Sequence, residues 1–144
     1  RLSDGGGLGV FVGHTGPVTQ LALLADGSMI SAGRDKSIRI WDVATCRELR
    51  RIETQWPVDG FSLLRGRGLC ATAEYLTVNI WNLQTGARVG EVGRELWAEG
   101  DRDFVRRVAL TSDESAILVA TGAGSVQVFD LADVCPRLGD SKPK

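Results

Sequence analysis

The sequence has one histidine, three cysteines and no surplus of either charge, with 17 Lys and Arg against 18 Asp and Glu. Each scarcity argues against a class of chemistry. Cys46, Cys70 and Cys135 stand far apart without a Cys-x-x-Cys pair, and His14 is the single imidazole, so the set lacks metal-ligand spacing. The plain reading is reduced thiols in an intracellular protein, with Cys70 as a small apolar core residue. A formal net charge of -1, spread along the chain, gives no field for a nucleic-acid backbone or an anionic membrane. No apolar run nears the roughly 18 residues that would span a bilayer, and no basic-then-apolar leader opens the chain. No Gly-x-Ser-x-Gly elbow or phosphate-cradling glycine loop is present. These absences point away from nucleic acid, membrane insertion and any cofactor.

What the chain does contain is one pattern written three times. Ser37-Ile38-Arg39-Ile40-Trp41-Asp42 returns as Thr77-Val78-Asn79-Ile80-Trp81-Asn82 and as Ser125-Val126-Gln127-Val128-Phe129-Asp130. Aliphatic residues alternate with polar ones, as in a strand with two different faces, and an aromatic holds the same depth each time. Trp41 and Trp81 lie 40 positions apart, Trp81 and Phe129 lie 48 apart. That is the period of a four-stranded repeat, with an insertion in the second interval. Units of this size bury their apolar faces only against neighbours.

Turn signals divide the chain accordingly. Residues 1–7 read as a linker, 8–54 as a closing strand (Leu8 to Val12) plus a first unit, and 55–93 as a second unit. Residues 94–103 are an insertion loop, 104–138 a third unit, and 139–144 a loose tail. Val134 to Leu138 would be the last strand, which Pro136 demotes to an edge. The chain opens on Arg1 rather than Met, and so reads as part of something longer.

The first unit, from Gly13-His14 through Asp26-Gly27 to Trp41-Asp42, resembles a WD repeat, and the match extends over residues 8 to about 131. The resemblance implies an all-β fold: a β-propeller with blades of four antiparallel strands, here three of them. It also implies a buried hydrogen-bond chain in each blade, on His14, Ser31, Asp35 and Trp41 in the first. The second unit has Thr54, Ala71 and Tyr75 at the first three positions and keeps Trp81. The third has Asp101, Val119, Ala123 and Phe129. A His beside an Asp is also half of a hydrolytic triad, but Ser31, the would-be nucleophile, lies in the apolar run Met29-Ile30-Ser31-Ala32. The expectation is therefore no enzyme activity.

Proteins that resemble one another in this way are mostly rigid platforms for partner proteins or peptides, cytoplasmic or nuclear. The alternative is an accessory propeller that selects substrates for a larger enzyme such as a ubiquitin ligase. The loops of the expected binding face carry Arg34, Trp56, Glu74, Asp101 and Arg102, and the insertion carries Trp97, which makes these six the candidate partner contacts. Three blades do not close a ring. The ring is completed either by the remaining blades of a parent chain or by a homodimer through strand exchange, giving six blades.

Overall fold

The computed structural model describes residues 9–93 and 104–136. The first unit folds as strands β1 (Val18–Leu23), β2 (Met29–Gly33), β3 (Ser37–Asp42) and β4 (Arg47–Glu53). The second comprises β5 (Val58–Leu64), β6 (Leu69–Glu74), β7 (Thr77–Asn82) and β8 (Arg88–Val92), and the third β9 (Val105–Leu110), β10 (Ala116–Thr121) and β11 (Val126–Asp130). A single helical turn, α1 (Leu131–Val134), follows. Each unit is an antiparallel sheet with its strands in chain order, four-stranded in the first two and three-stranded in the third. These are propeller blades.

The repeated hexapeptide explains both the strand and its end. Ile38, Val78 and Ile80 are fully buried in the middle of their sheets. The closing Asp or Asn then turns the chain: Asp42 Oδ1 accepts from the amides of Ala44 and Thr45, and Asn82 Oδ1 from those of Gln84 and Thr85. Asp130 accepts from the Ala132 amide and caps α1 instead. A short polar side chain that captures amides two and three residues ahead is a turn-forming device. Gly27, in the β1–β2 turn, has φ +85°, a conformation that costs a residue without Cβ nothing.

The core lies between blades, not within them. One cluster joins blades 1 and 2 through Ile30, Ile40, Val58, Phe61 and Trp81; another joins blades 2 and 3 through Val78, Ile80, Val108, Ile117 and Val119. Among the described residues, the outer faces of the first and third blades stay bare. Leu21 and Leu23 on β1, and Val126 and Val128 on β11, are each at least 60% exposed on the flanks that face away from blade 2.

Two expected strands are not formed over their described residues. Residues 9–12, the described part of the proposed closing strand Leu8 to Val12, pair with no sheet. They fold back over blade 1, where Phe11 meets Trp41 edge-on at 5.6 Å and a side chain at Gly9 would strike Cys46. A strand needs a backbone partner, and among the described residues none pairs with this segment. Val134 to Leu138 is likewise no strand over its described part, because the Asp130 cap starts a helical turn and Pro136 follows it. The insertion 94–103, with Trp97, Asp101 and Arg102, and the tail lie outside the described residues.

Candidate protein-binding face

In blade 1 the four expected residues meet. Trp41 Nε1 donates to Ser31 Oγ at 2.8 Å, Ser31 Oγ is 2.7 Å from His14 Nε2, and His14 Nδ1 is 2.9 Å from Asp35 Oδ2. One tautomer satisfies every member: Nδ1–H donates to the carboxylate and Nε2 accepts the Ser31 hydroxyl. Asp35 also takes the Thr15 amide at 3.1 Å and the Ser37 hydroxyl at 2.9 Å. Burial pushes its pKa up, but these donors outweigh burial and hold it below the usual carboxylate value. Behind them Arg39, 4% exposed, pairs with Glu48 at 2.5 Å and lies 3.7 Å from Asp35. The geometry is that of a triad, yet Ser31 is buried and its oxygen is held by the indole. It ties loop, turn and strand together.

Blade 2 departs from its expected alignment. Trp81 Nε1 donates to Thr72 Oγ1 at 3.0 Å, so Thr72, not Ala71, stands where Ser31 stands. Glu74 was a candidate contact, and the structure corrects this: its side chain is fully buried and accepts from Thr72 at 2.6 Å and from Trp81 at 3.1 Å through Oε1. Its Oε2 has no hydrogen-bond partner among the described residues. Burial raises its pKa, while the hydroxyl and indole donors pull the other way. An acid so placed braces the blade and meets no partner.

The same ends of the sheets carry an aromatic ladder. Trp56, between β4 and β5, stacks on Tyr75 of the β6–β7 turn at 5.4 Å, and Tyr75 meets Phe104, just before β9, at 4.7 Å. Lys36 Nζ lies 5.8 Å from the Trp56 ring, and the Arg106 guanidinium lies 5.8 Å from Phe104. Each ring is between 37 and 41% exposed. Arg34 extends the face, paired with Asp59 of blade 2 at 3.2 Å, and Arg107 donates to the Asp59 carbonyl. Of the six expected contacts, the structure brings Arg34 and Trp56 onto this surface. Tyr75, Phe104, Lys36 and Arg106 were missed, although Tyr75 and Phe104 occupy loops equivalent to those that drew attention to Arg34 and Trp56.

Among the described residues no group of three or more His, Cys, Asp or Glu is placed to hold a metal ion, and no helix is long and apolar enough to cross a membrane.

Comparison with known proteins agrees with this architecture. The family model described as WD domain, G-beta repeat, matches residues 6–42. The small ribosomal subunit protein RACK1z of Arabidopsis thaliana is 32% identical over 92 residues, which cover 62% of this chain and 28% of that protein. Protein HIR1 of Cryptococcus neoformans is 30% identical over 138 residues, covering 89% of this chain and 15% of that protein. The chain thus spans well under half the length of these curated relatives. The solved structure of U3-55K superposes with a TM-score of 0.73 at 22% identity, over 87% of this chain and 39% of that one. At that identity the likeness is one of fold.

Proposed function

The chain is a WD-repeat propeller segment, and from that premise we propose that it is a non-catalytic docking surface for protein or peptide partners, with the Trp56–Tyr75–Phe104 ladder as its contact area. The supporting observation is that three large rings from three separate loops lie together in water. Rings of this kind carry a large share of interface energy, and an unpartnered row of them costs hydration without return inside the segment.

The ladder also favours a class of ligand. A nucleobase stacks on a free ring face, but here Trp56 stacks on Tyr75 and lies near Lys36, and Tyr75 also meets Phe104 at a tilt. A cluster of rings already in contact with one another suits proline and aliphatic side chains, with cations at both ends for acidic neighbours. The bare flanks at Leu21, Leu23, Val126 and Val128 are read as seats for further blades. The free cysteines fit an intracellular setting.

The test is a peptide library selected against the intact protein, followed by affinity measurement on Trp56→Ala and Tyr75→Ala. Selected peptides are expected to lose about tenfold to a hundredfold in affinity on either change. Peptides that bind both variants as tightly as the native protein would place the docking surface elsewhere.

A further inference from the structure

At the opposite ends of the sheets from the ladder, the β1–β2 turn and the β5–β6 turn stand apart, leaving a cleft of about 460 Å³ between blades 1 and 2. Its size is that of a ligand pocket, which spans roughly 300–1,000 Å³. Both walls belong to blades described here, so the cleft is complete without further blades. Its floor is aliphatic, built from Leu24, Ile40, Leu63 and Leu83. These are the outer edge of the core cluster shared by the two blades.

The rim differs from the floor. Leu49 of β4, a large apolar side chain, stands 60% exposed at the opening. Beside it are Arg50 from blade 1 and Arg65 from blade 2. Neither forms a salt bridge among the described residues, where Arg34, Arg39, Arg51 and Arg88 all do. The carboxylate that lines the cleft, Asp26, is turned back into its own loop, accepting from the Ser28 amide at 2.9 Å and hydroxyl at 2.6 Å. The opening therefore presents two guanidinium groups above an aliphatic floor, against one carboxylate in the lining, Asp26, and with Glu114 accepting from the Gly66 amide next to Arg65, which leaves the rim net positive.

We propose that this cleft is a second binding site, for a short acidic peptide that sets leucine-sized side chains on the floor and one or two carboxylates against Arg50 and Arg65. Charge complementarity selects the occupant. Guanidinium groups take carboxylates in paired hydrogen bonds, and aliphatic walls give base edges or sugars nothing to bond. The ligand bridges two blades, so its affinity depends on residues from both.

The experiment uses the intact protein and a fluorescent series of eight-residue peptides holding two leucines, with Asp or Glu placed before, between or after them. Controls replace the acids with Lys or the leucines with Gly. At least one acid–leucine peptide is expected to bind saturably and both controls to fail. The paired change Arg50→Glu with Arg65→Glu should weaken binding about tenfold or more, and Leu49→Glu similarly. Hydrogen exchange should slow at residues 24–28, 64–68 and 83–84 when the peptide is bound. Failure of the whole series, affinity indifferent to both charge reversals, or protection centred on Trp56 to Phe104 would each overturn the proposal. The ladder, at the other ends of the strands, is judged by its own test, and either reading can fail alone.

Discussion

In blade 1 the Trp41 indole donates to Ser31, which passes the connection through His14 to Asp35. In blade 2 the Trp81 indole stands at the same depth but donates to Thr72 and Glu74, and no imidazole follows. Blade 3 has Val119 and Phe129 at the corresponding places and, among the described residues, no polar chain between them. The anchor strand is the same, so what varies is how its aromatic is held. A tryptophan carries an N–H that must be satisfied when buried, and a phenylalanine does not. Blade 1 ends its chain on a carboxylate surrounded by donors. Blade 2 ends on a buried carboxylate whose bonds from Thr72 and Trp81 fall on one oxygen.

The sharpest way to break the comparison is Asp35→Ala. It removes the acceptor for His14, Thr15 and Ser37 together and leaves Arg39 facing a gap, so a loss of about 3–4 kcal/mol is expected, as for other broken buried pairs. Denaturant unfolding measures it, and amide exchange in β2 and β3 should quicken more than in β6 and β7. A uniform loss across the blades would mean that the network does not act locally.

Trp81→Phe comes next. It keeps the ring and deletes the donor shared by Thr72 and Glu74, and should cost about 1–2 kcal/mol, the usual price of one buried hydrogen bond whose acceptors stay behind. Thermal melts of this variant beside Trp41→Phe would show whether the two indoles are worth the same. Equal losses would make the histidine chain irrelevant to the anchor.

The smallest effect is one of pH, and its sign separates the two acids. Glu74 holds its proton more tightly folded than unfolded, so its contribution is fully present below the unfolded carboxylate range and fades as pH rises through the elevated folded value. Asp35 behaves oppositely: its contribution is present above the unfolded value and is lost as pH falls through the depressed folded one. As pH rises from below the ordinary glutamate range through the elevated folded value, the native protein should lose stability relative to Glu74→Gln. A difference that stays flat across that range would mean that Glu74 is ionised in the fold.

Much of this was legible in the residues because repeats check one another. The hexapeptide fixed three anchor strands, and the spacing in unit one placed His14, Ser31, Asp35 and Trp41 where they meet. The misreadings have a common origin in turn length. Blade 1 joins β2 to β3 through three residues, 34–36, whereas blade 2 joins β6 to β7 through Tyr75 and Leu76. Counting back from Trp81 by the blade 1 interval therefore lands on Ala71, one residue short of Thr72, and a one-residue slip turns a side chain to the other face. The same slip made the inward-facing Glu74 look like a loop contact. The ladder was half seen because its rings come from three loops distant in sequence. No local pattern announces a stack assembled by the fold.

The two nearest-neighbour inner strands are also fastened by side chains that imitate a backbone. Gln20 of β1 donates to the Phe61 carbonyl and accepts the Phe61 amide, both at 2.9 Å, while Thr19 donates to the Val58 carbonyl at 2.8 Å. From the other side Arg107 of β9 reaches the Asp59 carbonyl. Strand β5 is thus riveted to both neighbours near the inner edge. Blades joined there behave like the ribs of a fan pinned at the handle: any angular give is amplified toward the rim and suppressed at the pivot.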